Sequence, residues 1–451
     1  MLSNVSWITR LTSFVFLVSI LCINAEQDRT AFVWLITYYS VAFASYLYLI
    51  KRNELRFKQL AVLAISAQVV SLVFEPNLSV DYYRFLWDGE MAWNHINPFD
   101  FRPIGVHNQP FIQENPYLNE IYTGMSRLSR YNYSCYPTVN QLYFIFSTAF
   151  SSSIAINTFF LKLSIVTTEL IGAIYLVKIF KKLNLNNNRM WILYLNPLWI
   201  IECTGNTHFE GVMISFLFIA LYFIIQKRIV LGGIWMAIAV QIKLIPLLFL
   251  PFFLRYLGWW KASLFYTITI GLAISLGIIH LDQNNFWHFI ESIILYFKVF
   301  EFNSLFFYNI LQIGKMYYSF NPIRIFGPII SQISLFLILI LAFWGNDHLA
   351  KKMFHRMTIA FFIYLLLSST VHPWYIIPLL AVSSFTHFCF PIIWSFFIFF
   401  SYFLYSVNSG SAIEVRALIT IEYTIVIGVF IYELIKKKPL LQFPNFEFKN
   451  S

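Results

Sequence analysis

IRIFGPIISQISLFLILILAF, Ile323 to Phe343, decides the fold: Arg324, near its start, is the only charge in a run that is otherwise apolar or weakly polar. A helix rises about 1.5 Å per residue, so hydrocarbon demands about 20 such residues per span, with every backbone polar group satisfied inside the helix. Working outward, Ala31 to Ile50, Ile154 to Val177, Ala262 to Ile279 and Ala417 to Leu434 meet or approach the same length. Shorter apolar runs lie between them. The chain of 451 residues is 59% hydrophobic, 20% aromatic and only 12% charged, with a mean hydropathy of +0.67. That composition excludes a soluble core and predicts an all-α, multi-span integral membrane protein of roughly 12 to 14 spanning or half-spanning helices.

The net charge of +10 is a topology signal, not the footprint of a nucleic-acid partner. Basic residues cluster at Lys51, Arg52, Arg56 and Lys58, at Lys178, Lys181, Lys182 and Arg189, at Lys227 and Arg228, at Lys351, Lys352 and Arg356, and at Lys436 to Lys438, each flanking an apolar run. Residues 76–137 instead carry six acids against four arginines and no lysine. Positive-inside logic makes 76–137 and 280–322 extracytoplasmic loops of a single membrane domain covering 1–451. The first apolar run, Trp7 to Ile23, reads as a span or as a signal peptide. Ile229 to Arg255 reads as two short spans meeting near Lys243, with Gly205 to Gly211 forming a short outer turn. Tyr136 to Phe150 is apolar, but counting it as a crossing would put the Lys178 cluster outside, so it is expected to be interfacial or re-entrant. Cys22, Cys203 and Cys389 sit in apolar runs and only Cys135 in the long loop, so no disulfide framework follows.

Chemistry concentrates in DYYRFLWDGEMAWNHINPF, Asp81 to Phe99, which holds four charges directly after an apolar run. Asp81, Arg84 and Asp88 at i, i+3 and i+7 share one helical face. A bland account is available, with Asp81 capping the helix and Arg84 neutralising two acids. A carboxylate at the membrane surface, however, loses hydration and gains basicity beside lipid headgroups. Trp87 and Trp93 follow, and Asn97-Pro98 ends the helix. Elsewhere, Lys243 sits inside an apolar run, where a charge faces a partner or an anionic ligand; a lipid phosphate is the expected contact, ahead of pairing with Glu202. His208 and Glu210 supply two metal-type ligands without a third, so no metal is expected. His372 and Trp374 alone would pass as a polar-capped aromatic belt. Glu414, Arg416 and Glu422 read as a salt bridge or interfacial anchor.

The string from Asp81 resembles the first outer-loop signature of the GT-C superfamily, in particular bacterial polyprenol-phosphate-mannose-dependent mannosyltransferases, on Asp81, Tyr83, Arg84, Leu86, Trp87, Asp88 and Gly89, then Asn97-Pro98, then Tyr136-Pro137. Phe85, Phe99 and Thr138 depart mildly from that pattern. Asn196-Pro197-Leu198, Glu202, Gly205-Asn206 and His208 are similar to a second family segment, with Glu210 where an aspartate is expected. Lys243 and His372-Pro373-Trp374-Tyr375 continue the likeness. The resemblance implies an inverting glycosyltransferase of the bacterial inner membrane acting on a cell-envelope glycan. It would move a sugar, most simply mannose, from a polyprenyl-monophosphate donor to a hydroxyl of a glycan or glycolipid on the outer side, without a cofactor. It makes Asp81 and Asp88 the catalytic acids, Asp81 as base and Asp88 as its partner. Tyr83, Arg84, Trp87, Asn97, Tyr136, Glu202, Asn206, His208, Glu210, Lys243, His372, Trp374 and Tyr375 become substrate contacts. Which aspartate takes the proton stays open. A flippase or transporter of lipid-linked sugars, or a ligase using a diphosphate-linked donor, are the competing classes; a transporter would place its polar groups near the midplane on repeat-related helices, and no repeat is visible.

Overall fold

The computed structural model describes residues 5–279, 282–298, 300–344, 349–406 and 412–443; residues 280, 281 and 299 of the second expected loop lie outside them. Among the described residues the secondary structure is helical, apart from one isolated bridge between Phe302 and Thr370. The principal helices are α1 (Trp7–Ala25), α2 (Phe32–Arg52), α3 (Phe57–Leu72), α4 (Asp81–Trp93), α5 (Thr138–Thr148), α6 (Ile154–Lys182), α7 (Glu210–Ile225) and α8 (Ile229–Val240). They continue as α9 (Trp259–Ile278), α10 (Gln283–Lys298), α11 (Leu305–Lys315), α12 (Ile323–Phe343), α13 (Ala350–Leu367) and α14 (Ala412–Lys436).

Six of these, α1, α2, α6, α9, α12 and α14, are long and apolar enough to cross a membrane. A seventh span arises if Pro197–Gly205 and α7, bent by 107° at a short break, are counted together. The remaining apolar runs become shorter helices, α3, α8, Ile245–Leu257, Pro373–Ser383 and Phe390–Ser406. The protein is thus an all-α, multi-span membrane protein. α8 and Ile245–Leu257 meet around Lys243, as the run from Ile229 to Arg255 predicts. The Tyr136–Phe150 stretch forms α5, only 11 residues long and packed against α4. The first apolar run is a packed helix whose Phe16, Ile20 and Ile23 are buried against α2 and α3.

Polar clamps fix the two ends of the bundle. At one end, Ser6 and Thr9 at the start of α1 each donate a hydroxyl hydrogen bond of 2.6 Å to Glu54, in the α2–α3 turn. At the other, Asn77 donates to the carbonyls of Ile23 and Glu26, and Lys162 of α6 donates to the carbonyls of Ser71 and Phe74. These last carbonyls lie at and just beyond the end of α3, where helical partners run out, so the buried ammonium caps them. Alternating helix directions therefore put the segment leading to Asp81 at the end where α1 and α3 finish and α6 begins. The basic clusters at Arg52 and Lys58, Lys181 and Lys182, Lys227 and Arg228, Lys351 and Lys352, and Lys436 fall at the opposite end.

Glu422 corrects one expectation. It does not pair with Arg416 but is buried, accepting hydrogen bonds from Asn303 and, at 2.7 Å, from the Trp394 indole. Arg416 lies over the Tyr308 ring instead. A carboxylate inside a bundle persists only with such donors, and the indole provides one without adding charge.

Candidate active site

The face of α4 that the sequence places in one stripe divides in the structure. Asp88 is fully buried: it receives Arg84 Nε at 2.7 Å, Ser134 Oγ at 2.6 Å and Gln141 Nε2 at 3.3 Å. Arg84 also donates to the carbonyls of Ser129 and Asn132, at the end of the short helix Arg127–Tyr131. This node folds the long loop onto α4 and α5. Trp87 is buried, with its ring 5.9 Å from that of Tyr122, and Asn97 uses its side chain to accept from the Phe99 amide in a turn. Tyr83 packs on Tyr82 and against the Gly124 backbone. Tyr136 sets its ring edge-on to Phe85, which stacks on Phe144.

Close approach of α4 and α5 is what lets this node form. A Cβ on Gly89 would lie 2.5 Å from the Phe144 carbonyl oxygen, well inside van der Waals contact, so only glycine fits where the helices cross. Trp93 donates from its indole to the Ile145 carbonyl and ties the far end of α4 down.

Asp81, at the start of α4, points elsewhere. It is half-buried, and its carboxylate takes no hydrogen bond from the described residues. Burial raises its pKa above the usual carboxylate range, and the nearby Lys243 ammonium acts in the opposite sense. Tyr375, Tyr405 and Glu210 also lie close enough to feel its charge.

Around it stand residues from four distant segments. The turn Ile200–Gly205 is a single π-helical stretch, a geometry that recurs at functional sites because it re-aims side chains. It turns Glu202 inward to accept from Tyr402 Oη at 2.7 Å and to meet His208 Nδ1 at 3.1 Å. His208 stacks on Trp374 at 3.6 Å between ring centroids, and His372 stacks on the same indole at 4.4 Å. Tyr375 stands edge-on to both His372 and Trp374. Lys243 pairs with Glu210 at 2.5 Å, and not with Glu202, the protein partner weighed from sequence. Asn206 registers the parts: its side-chain oxygen accepts from the Leu78 amide, just ahead of α4. Asn140 of α5 and the Gln241–Ile242 segment are joined by a 2.6 Å hydrogen bond to the Ile242 carbonyl, which anchors the Lys243 turn.

Three buried polar atoms in this group lack a partner: His208 Nε2, Glu210 Oε2 and His372 Nδ1. Buried polar groups are nearly always satisfied, so three orphans in one cluster mark it as a candidate place for a polar ligand. Among the described residues no three His, Cys, Asp or Glu side chains group as metal ligands.

The structure therefore brings together Asp81, Glu202, Asn206, His208, Glu210, Lys243, His372, Trp374 and Tyr375. The contacts described for Arg84, Trp87, Asp88, Asn97 and Tyr136, with Tyr83, lie instead within the loop and against α4 and α5. Sequence reasoning missed Tyr402, Tyr405 and Arg29, whose guanidinium lies 4.7 Å from the Tyr405 ring centroid. Arg29 carried a usable signal, as a charge in the short turn at the same end as Asp81. The two tyrosines, inside an apolar aromatic run, carried none.

A bundle of membrane-length helices that gathers an acid, a lysine and two histidines at the end away from its basic clusters defines a multi-span membrane protein with one polar cluster fit for an enzyme's site. Residues 5–258 match the model of the MptA_B family, described as alpha-(1->6)-mannopyranosyltransferase, N-terminal domain. The chain belongs to that family and is a mannosyltransferase. No curated protein and no solved structure matches it. The match spans Asp81 through Lys243, while His372, Trp374 and Tyr402 join the same cluster from beyond it.

Proposed function

We propose that the protein transfers mannose from a polyprenyl monophosphate to a hydroxyl of a glycan or glycolipid, on the extracytoplasmic side of a bacterial inner membrane, with Asp81 as general base. The observation that carries this reading is the unbonded Asp81 carboxylate beside Lys243. One group can take a proton, and the adjacent one can stabilise a departing anion.

The acceptor oxygen attacks C1 of the sugar as the bond from C1 to the phosphate oxygen breaks. The hydroxyl proton passes to Asp81, and the electron pair leaves with the lipid phosphate. One displacement inverts the anomeric centre, so a β-linked donor gives an α-linked product. Lys243, held by Glu210, and the orphaned ring nitrogens of His208 and His372 supply charge and hydrogen bonding to the phosphate and sugar. Glu202 and Tyr402 orient His208 through its Nδ1. Asp88 acts through the Arg84 node as a positioning residue, keeping α4 on α5.

The test is a proteoliposome assay with radiolabelled polyprenyl-phosphate mannose. Wild type transfers label to lipid or glycan acceptors, and Asp81→Asn falls by about 100-fold or more with its folding intact. Full activity in Asp81→Asn removes the base assignment; transfer from a sugar nucleotide but not from the lipid monophosphate removes the donor class.

A further inference from the structure

A cavity of about 440 Å³ opens between α11, α14 and residues 301–304, separated from the cluster above by Phe302. We propose that this cavity is a second carbohydrate subsite, holding sugar residues of the acceptor glycan beyond the one that reacts.

Its position is the first ground. The Phe302 ring lies 4.5 Å from that of His372. The Phe302 amide donates to the Ser369 carbonyl and its own carbonyl accepts from Val371, so this wall and His372 are carried on one hydrogen-bonded pair of segments. The Phe302 ring also lies 6.2 Å from that of Tyr405, which feels the charge of Asp81, so the cavity adjoins the cluster around that acid.

The lining chemistry is the second. Glu301 and Arg416 both line the cavity, and Lys315 lies near enough to act on Glu301, so charges of both signs meet there. Arg416 lies 4.3 Å from the Tyr308 ring centroid, leaving Tyr308 and Phe302 as aromatic walls with Leu305 and Ile419. Apolar faces with a few charged and amide groups match a hexose, which presents C–H faces and a rim of hydroxyls; the volume is that of an ordinary small-ligand site. Third, Asn303 Oδ1, Ser304 Oγ and Tyr308 Oη, all on lining residues, lack partners, and Asn303 and Ser304 are only 3% and 4% exposed. These atoms are covered, so a sugar reaches them only as the side chains turn toward it, and an acyl chain offers them no partner at all.

This inference rests on the transfer reading above, and binding and turnover separate the two. Full-length protein in nanodiscs is titrated with a soluble α-linked mannotetraose and with methyl α-mannoside, followed by saturation-transfer NMR, and the same sugars are used as acceptors. Tyr308→Ala and Glu301→Gln are expected to weaken tetraose binding, and to raise its KM, by about tenfold while leaving kcat and KM for the monosaccharide within about twofold. Retained monosaccharide kinetics control for folding, and Tyr308→Phe, which keeps the ring but removes Oη, should lose less tetraose affinity than Tyr308→Ala. Tetraose binding unchanged in both variants, equal losses for tetraose and monosaccharide, or bound lipid in place of sugar overturns the subsite. Pocket-dependent tetraose binding without any transfer from the lipid donor leaves the subsite standing and overturns the reaction.

Discussion

Asp81 and Asp88 lie seven residues apart, nearly on one helical stripe, yet separated by about 10 Å along the axis. That separation takes them to different neighbours. Asp88 falls under Arg84, Ser134 and Gln141, and Asp81 falls beside Lys243. Periodicity announces the shared face, but which residues cover each acid depends on segments 46 to 162 positions away, and no local pattern encodes that. The two variants should separate cleanly. Asp88→Asn strands a buried guanidinium and should cost about 3–5 kcal/mol, read as a lowered midpoint in detergent-solubilised thermal unfolding, with activity falling as folding fails. Asp81→Asn should keep the midpoint and lose turnover. A base must be ionised to act, so the raised pKa of Asp81 puts the acid limb of the kcat profile above the usual aspartate range, with rate rising as pH rises through it. Lys243 opposes that rise, so Lys243→Met should move the limb to still higher pH; a limb that stays in place dissociates Asp81 from the rate.

At the scale of elements, the long helices follow from composition almost directly: α12 begins and ends where its apolar run does, and α2, α6, α9 and α14 overlap theirs closely. Hydrophobic length is a local property and survives folding. The short elements were legible only as exceptions, such as α5, whose 11 residues cannot span hydrocarbon. The π-turn Ile200–Gly205 was invisible, because its wider winding is imposed by packing and not by a residue signature. Gly89→Ala tests the α4–α5 crossing: a methyl 2.5 Å from the Phe144 carbonyl should cost about 1–3 kcal/mol and reduce turnover by displacing Asp81, while Gly105→Ala, with nothing within 4 Å, should be silent. Glu90 on the same helix offers a pH signature. Burial raises its pKa to about 7, partly offset by a hydrogen bond from Tyr117. The folded state then binds the proton more tightly than the unfolded chain. Stability from this group is full below the ordinary glutamate range and is lost as pH rises through about 7. Thermal midpoints measured from pH 4 to 8 should fall across that window in wild type and flatten in Glu90→Gln.

For the whole molecule, the decisive relation is between the reacting cluster and the basic clusters, which occupy opposite ends of the bundle. Asp81 follows the end of α3, whereas Lys58 lies at its beginning. Basic residues near span ends are retained on the cytoplasmic side, and several independent clusters at one end make that bias cumulative. On the proposed reading the cluster at Asp81 then faces outward, the side on which a lipid-linked donor would present its sugar. Impermeant thiol labelling in sealed right-side-out vesicles tests this, with Cys22 and Cys135, the two half-buried cysteines, replaced by serine. Gly105→Cys, in an exposed part of the loop, should label at once. Lys438→Cys, exposed just beyond α14, should label only after permeabilisation. The reverse order would put the site on the cytoplasmic side, and the lipid monophosphate would lose its main physical rationale as donor. Buried Cys203 and Cys389 report the background, since neither is open to the reagent while the bundle stays folded.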